Sequence, residues 1–512
     1  MKSTRKILPI ALLGLALCAC GARGTDVTSK QLPTDDPTSE VEVTFWHCLG
    51  HDKSENLNKI VSKFNTEYSG KYRVTPVKVA GDYDSLHDTV KTRLASGEIP
   101  ALCMGYPDSF SEYMTNDVDY SAIYRLDSFF DDENYGYSAA EKEDFVDAFL
   151  DEGSHYQHEG IWSVPMYKST EIMYYNANYF CGDNPETTSK VASDSSLDAT
   201  KVSAYNSART AVLAAGASAT DEQLSALKTA ADDLGGYTYE VPATWDELIT
   251  LSRTVIANRA SQKIGGDFYP FGYDSDANLL ISLMAELGIP YTANGAEALK
   301  DSNKHFVFNN NDAKALVEEL VGLYNDKIMI TKALLGGKKY TNEYFTNMQS
   351  IMSIGSTGGS SYNVSSNFKV KLAPVPYKGS APKYIQQGPS ICFFDNDNDY
   401  MHKGAWLFYK MLADAENNAA LALENSYDPV RDSSFETTNY ANWIAKHDLD
   451  LKYDIPYTTA QIRQYYFTSE VFVGSSTART EIGKLLSYVA NSKMSVNEAF
   501  STAYNICCNA AK

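Results

Sequence analysis

Beyond its first twenty residues, this chain of 512 residues has no apolar run long enough to cross a membrane, a crossing that takes about 20 consecutive apolar residues. Positive charge is also scarce: 44 Lys and Arg stand against 65 Asp and Glu, a formal net charge of −21. Nucleic-acid phosphates repel such a surface, and no Lys/Arg stripe offsets it, so no nucleic-acid partner is expected. The eight cysteines form no CxxC, and none of the eight histidines stands in HExxH. No metal site and no cofactor is therefore expected. A phosphate-cradling GxxxxGK[ST] is absent too. The run Gly355-Ser-Thr-Gly-Gly-Ser-Ser361 follows a strand-like segment but lacks the G-x-S-x-G spacing of a hydrolase elbow. Nothing demands catalysis, although so acidic a chain leaves open a glycosidase-like pair of carboxylates. No internal repeat is visible.

What is present begins at the N-terminus. Lys2, Arg5 and Lys6 precede an almost wholly apolar stretch from Ile7 to Ala19. A charged start, a short apolar stretch and a small residue before the cut describe a secretory signal peptide, residues 1–19. The ending Leu17-Cys-Ala-Cys20-Gly resembles a bacterial lipobox. That resemblance implies that Cys20 becomes the lipid-modified first residue. The mature chain is then exported and held at the outer face of the cytoplasmic membrane by acyl chains alone. Residues 20–40 contain almost no apolar side chains and read as a flexible tether.

The remainder is longer than one compact core usually supports, so two domains are expected. Val41-Glu-Val-Thr-Phe-Trp46 alternates like a strand. Leu57, Ile60, Val61 and Phe64 recur at helical spacing, and residues 72–79 alternate again. A helix over 84–95 and a short buried strand over 100–105 follow. This β-α-β-α-β order predicts parallel pairing and an α/β lobe. Further strands are expected at 171–175, 350–354, 369–375 and 385–394, and helices at 311–324 and 403–421. The tail from 460 reads as mostly helical. Thr244 and Glu247 open a capped helix. Between 183 and 238 an Ala/Ser/Asp/Thr-rich stretch interrupts the pattern and reads as a helical surface insertion, more simply a spacer than a binding element. The six cysteines after Cys20 are irregularly spaced, and no disulfide pairing is assigned.

Several segments together resemble one family. They are Val43-Thr-Phe-Trp-His47, Ala95-Ser-Gly-Glu-Ile-Pro-Ala101, Val164 to Asn176, and Pro242-Ala-Thr-Trp-Asp-Glu-Leu248. Phe271-Gly-Tyr-Asp-Ser275, Met352-Ser-Ile-Gly-Ser356, Ala373-Pro-Val-Pro376, Ala405 to Lys410 and Tyr427-Asp-Pro-Val-Arg431 continue the series. In order and spacing the chain resembles the extracellular solute-binding proteins of ATP-binding-cassette sugar importers, of the maltose and glycerol-3-phosphate type. The 183–238 insertion departs from that pattern. The resemblance implies an α/β, two-lobe periplasmic-binding-protein-like fold (type II) with hinge strands and a ligand cleft. It places one lobe at 41–167 plus 388–428 and the other at 168–387 plus 429–512. A monomer that captures a small carbohydrate and hands it to membrane permease subunits is implied.

Carried onto this sequence, the cleft-facing positions are Trp46, His47, Tyr83, Tyr106, Asp108, Tyr167, Lys168, Ser169, Tyr273, Asp274, Gly355, Ser356, Tyr362, Gln386, Gln387, Tyr427 and Arg431. Aromatic faces suit pyranose rings, and Asp, Gln, Ser and Arg satisfy hydroxyls in a buried cleft. Bland roles stand beside these. Trp46 ends a core strand, Lys168 has acidic neighbours to pair with, and Arg431 follows Pro429 in a loop that it would brace. With only Lys168 and Arg431 as cations, a neutral oligosaccharide is preferred over glycerol 3-phosphate or a phosphodiester. An exported surface glycosidase and an adhesin-like lipoprotein are the readings from other classes.

Overall fold

The computed structural model describes residues 30–114, 121–337, 339–447 and 450–511. The signal segment and Cys20 lie outside them. Among the described residues no helix is long and apolar enough to cross a membrane.

Among the described residues, twelve strands fall into two five-stranded sheets and one two-stranded ribbon. The first sheet has the order β2-β1-β3-β11-β4, from β1 (Val41–His47), β2 (Tyr72–Lys78), β3 (Leu102–Gly105), β4 (Val164–Pro165) and β11 (Ser390–Phe393). β1 pairs in parallel with β2 and β3, as the β-α-β-α-β reading predicts, while β11 runs antiparallel to β3. The helix Glu55–Glu67 buries Leu57, Ile60, Val61 and Phe64 against this sheet, the four positions read at helical spacing. The second sheet has the order β7-β6-β8-β5-β9, from β5 (Glu171–Asn176), β6 (Phe271–Tyr273), β7 (Met329–Thr331), β8 (Met352–Ser356) and β9 (Val370–Ala373). Each sheet sits in its own apolar core, one built around Phe45, Trp162 and Trp406 and the other around Trp245, Phe271 and Ile482. The expected α/β architecture with two lobes is thus what the chain adopts.

The chain crosses between the sheets more than once, and the crossings lie side by side. Lys168 pairs with Asp428, and Ser169 with Gln387, as isolated antiparallel bridges. Their backbone bonds are reciprocal: Ser169 N–H donates to Gln387 O at 2.6 Å, and Gln387 N–H to Ser169 O at 2.7 Å.

Three readings are corrected in detail. The strand expected at 385–394 is two strands in two sheets. Tyr384–Ile385 (β10) pairs with Tyr466–Phe467 (β12), and β11 joins the first sheet. Gly388 makes the break, at φ +112°, where an added Cβ would stand 2.8 Å from the Tyr167 carbonyl oxygen. The helix expected at 403–421 is also two, Asp399–Leu412 and Ala415–Glu424, because the Asp414 side chain accepts from Asn417 N–H and starts a new helix. The tail from 460 is mostly helical, as read, through the helices Ser475–Ala490 and Val496–Ala510. Finally, residues 30–36, read as tether, lie against the first lobe. Lys30 reaches Asp395 at 2.6 Å, Leu32 is 5 % exposed within the first core, and Asp36 meets Lys71 at 2.6 Å. A polar segment needs few apolar side chains of its own when a finished lobe supplies the partners.

The 183–238 stretch contains the helices Pro185–Ser193, Ala199–Ala215 and Asp221–Asp233. Tyr205, Val212, Leu224 and Leu227 form a small core of their own there. The Thr220–Gln223 capping box is present in both directions.

Candidate functional site

Between the lobes lies a cavity of about 470 Å³. The first lobe contributes Asp84, Tyr106, Asp108 and Glu152. The crossing segments contribute Gln386, Gln387, Thr468, Ser469 and Glu470. The second lobe contributes Ser275, Tyr291, Lys332 and Arg479. A wider groove of about 910 Å³ runs over the insertion, but small residues such as Ala204, Ser225 and Ala226 line it. The interlobe cavity combines aromatic rings with convergent polar groups from both lobes, the character of a small-molecule site.

Its second-lobe wall is a hydrogen-bonded network. Glu171 opens β5 and accepts from the Tyr273 hydroxyl and, at 2.7 Å, from Asn278 Nδ2. Asn278 and Gln387 exchange amide bonds in both directions at 3.0 Å. Arg479, in the first turns of the helix Ser475–Ala490, donates to Asn278 Oδ1. Burial pushes the Glu171 carboxyl up to about 7, against the lowering pull of Tyr273, Asn278 and Arg479. Asp108 is raised by burial as well, and the Arg479 charge opposes that rise.

On the first-lobe side, Tyr83 packs against Tyr106 at 4.6 Å between ring centroids, and Tyr167 against Tyr427 at 4.7 Å. The Tyr427 hydroxyl approaches the Gly-rich loop so closely that a Cβ at Gly358 would stand 2.8 Å from it. This is where the loop after β8 needs its glycine: a first-lobe ring occupies the space.

Of the residues named from the sequence, Tyr106, Asp108, Gln386 and Gln387 line the cavity, and Tyr83 adjoins it through Tyr106. Tyr273 stands behind the wall, bonded to Glu171. Asp274 accepts Thr341 N–H at 3.0 Å, and a Cβ added at Gly355 would stand 3.5 Å from the Asp274 Cβ. Ser356 Oγ accepts Gly358 N–H at 3.2 Å, which begins a 3₁₀ turn in the Gly/Ser loop. Tyr362, 70 % exposed, points to solvent. Ser169 is held in the crossing ladder.

Trp46 and His47 end a core strand. Both are buried, and His47 Nδ1 accepts Leu49 N–H at 3.2 Å. Burial, with Lys78 nearby, pushes the His47 imidazole down to about 4. Lys168 is fully buried. It pairs with Glu152 and donates to Ser390 Oγ at 2.8 Å and Gly388 O at 3.3 Å. Arg431 braces its loop. It donates to Ala413 O, to Glu141 O at 3.1 Å and to Asp144 at 3.2 Å, and lies over the Phe145 ring at 4.2 Å. Arg431→Met should therefore cost about 2–3 kcal/mol of stability while leaving ligand affinity unchanged. Urea unfolding read beside a binding isotherm checks both halves.

Arg479, Lys332, Asn278, Glu171 and Glu152 were missed. Glu171 had a signal, an acidic residue opening the otherwise apolar strand Glu-Ile-Met-Tyr-Tyr. Arg479 had none, since nothing local separates it from any other helical arginine. Among the described residues no three His, Cys, Asp or Glu side chains gather as a metal site.

Comparison with known proteins bears on the fold and the family. A curated relative, the sn-glycerol-3-phosphate-binding periplasmic protein UgpB of Yersinia enterocolitica, is 25 % identical over 168 residues. That match covers 32 % of this chain, and the chain spans only 36 % of that relative's length. Among solved structures, the cyclic α-maltosyl-1,6-maltose binding protein of Arthrobacter globiformis superposes with a TM-score of 0.61 at 14 % identity, over 92 % of this chain and 99 % of that one. UgpB of Mycobacterium tuberculosis, in complex with glycerophosphocholine, gives 0.62 at 14 % identity, over 92 % and 98 %. At such identities these two show a shared fold. The model of the bacterial extracellular solute-binding protein family matches residues 59–447. With more than half its length matched in this way, the chain belongs to the bacterial extracellular solute-binding proteins.

Proposed function

We propose that this protein captures a carbohydrate, a short oligosaccharide because about 470 Å³ of cavity admits few sugar rings, and delivers it to an ATP-binding-cassette permease. The observation that carries the reading is the cavity itself, polar and aromatic, with walls drawn from both lobes and from the strands that join them. Its size falls within the range of about 300–1,000 Å³ common to small-molecule sites. The lobes close about hinges near 167–169, 387–388 and 428–429, and the closed form is what the permease recognises. Binding proceeds without turnover. Export and attachment through a lipidated Cys20 complete the reading, with the protein monomeric at the outer face of the membrane.

One observation favours a second cargo. Arg479 and Lys332 line the cavity, and among the described residues neither has a carboxylate within ion-pairing distance. A glycerol phosphate or phosphodiester would use them. A thermal-shift screen of residues 30–512 against oligosaccharides, glycerol 3-phosphate and glycerophosphocholine separates the two cargoes. A ligand at a hundred times its dissociation constant adds about 2.7 kcal/mol of apparent stability. We expect the oligosaccharides to give the shift and to be recovered intact. Cleaved sugar would mean a glycosidase, and no response to any sugar would end the carbohydrate reading.

A further inference from the structure

The cavity wall carries hydrogen-bonding capacity that the protein leaves unused. Gln386 is 3 % exposed. Its Nε2 donates to Ala148 O at 2.8 Å, which fixes the amide's orientation, and its Oε1 has no donor. Ser469 Oγ, enclosed at the same wall, has no partner. Asp108 receives Ser109 N–H at 3.0 Å through one of its two carboxylate oxygens. The Arg479 guanidinium, with five N–H groups, donates to the neutral Asn278 amide. Buried acceptors and charged groups left in this state call for a partner rich in O–H groups.

Charge then selects among such partners. Asp84 and Asp108 stand on the first-lobe side, Glu470 on a crossing segment, and Arg479 and Lys332 on the second-lobe side. Glu152 is already matched by Lys168. An anion would meet three carboxylates at close quarters, and a cation would meet the two basic groups. An uncharged polyol escapes both penalties, because each hydroxyl gives a proton to one wall and takes one from the other.

We propose that Asp108 and Arg479 are the specificity-determining clamp of the site, gripping one uncharged polyhydroxyl ligand from opposite lobes. Asp108 accepts hydroxyl protons along one edge of the ligand. Arg479 donates to hydroxyl oxygens along the other. Arg479 is held for this by Asn278, which is itself locked to Gln387 on a crossing strand. The helix Ser475–Ala490 that carries Arg479 packs against the short turn Pro107–Phe110 that carries Asp108, so the clamp also draws the lobes together. This inference rests on the carbohydrate-receptor reading and adds the residues that do the selecting.

The test uses the exported chain without its signal segment, as wild type, Asp108→Asn, Arg479→Gln, Asp108→Arg and the swap Asp108→Arg/Arg479→Asp. Calorimetric titration with maltotriose, xylotriose and glycerophosphocholine reads the ligand, and circular dichroism checks folding. A trisaccharide should bind the wild type. Each neutralising variant should weaken it about tenfold or more, as expected for losing a charged hydrogen bond. Small-angle scattering reads the clamp without any ligand. Asp108→Arg sets two guanidinium groups across the cavity and should enlarge the radius of gyration, and the swap should restore it. Trisaccharide binding within about twofold of wild type in both neutralising variants would overturn the clamp and leave the carbohydrate reading standing. Binding of glycerophosphocholine alone would overturn both. If no probe binds, unchanged scattering by Asp108→Arg overturns the clamp by itself, and the enlargement with its reversal supports it.

Discussion

Lys168→Met is expected to cost about 3–5 kcal/mol of folding stability, the penalty for leaving one half of a buried ion pair alone. Lys168 is 0 % exposed and Glu152 is buried beside it. Ser390 Oγ donates to the same Glu152 carboxylate at 3.1 Å, and Thr468 Oγ1 to its other oxygen at 3.3 Å. Methionine keeps the stem of Lys168 packed but removes the charge. Two hydroxyls cannot replace an ammonium, so the Glu152 carboxylate is left charged in a low-dielectric site. The double variant Lys168→Met/Glu152→Gln should recover most of the loss, because no orphaned charge remains. Urea midpoints at neutral pH measure both. A single-variant loss below about 1 kcal/mol, the size of an exposed pair, would show that the pair is worth no more than a surface contact. The pair also explains why a position assigned to the cleft belongs to the frame. Lys168 spans the crossing strands and reaches the Gly388 carbonyl at 3.3 Å, while Glu152 alone of the two faces the cavity.

That division recurs across the site. The first lobe was legible because its signals are local. Alternation in β1 and the 3.6-residue spacing of Leu57, Ile60, Val61 and Phe64 state the β-α-β unit before any contact is known. The resemblance supplied cleft positions on loops, and Tyr106, Asp108, Gln386 and Gln387 do line the cavity. Errors arose where one run of residues serves two bodies. Ile385 to Phe394 reads as a single strand because apolar residues stand at both its ends, and Gly388 marks the turn from one sheet to the other. Asp414 was a visible cap, yet the apolar rhythm on both sides of it ran on undisturbed. Residues 30–36 looked free because their partners, Asp395, Lys71 and Lys403, are remote in sequence. Arg479 is the same case at the site: it reaches the cavity from a helix whose local pattern speaks only of core packing. The two cations legible at the site, Lys168 and Arg431, are thus both used internally, and the ones that face the cavity are Arg479 and Lys332.

Glu171→Gln should change how stability depends on pH, with little effect in acid and a gain in alkali. In the folded chain burial raises the Glu171 carboxyl from 4.5 to about 7. The groups that face it are the Tyr273 hydroxyl, the Asn278 amide, and the Arg479 and Asp274 charges. A carboxyl raised on folding binds its proton more tightly in the native state than in the unfolded one. Its stabilising contribution is thus fully present below about pH 4.5 and is lost as pH rises through about 7. Over that window the wild type forfeits stability on the order of 3 kcal/mol from this group, from the free-energy equivalent of its shift. Glutamine keeps the neutral form at every pH. Its amide can donate toward the Tyr273 oxygen, and its carbonyl still accepts from Asn278. The variant and the wild type should match near pH 4.5, and the variant should be the more stable at pH 8. Other groups titrate in the same range. Asp276 and Asp428 are raised to about 6 and Glu286 to about 7 by burial, while burial pushes His47 down to about 4. These are common to both proteins, so the difference between two urea-unfolding series, taken every half pH unit, isolates Glu171. A difference that stays flat from pH 4.5 to 8 would mean that Glu171 ionises at the ordinary carboxylate value. Asn278 would then be braced by a permanent charge, and the wall that presents Arg479 to the ligand would be indifferent to pH.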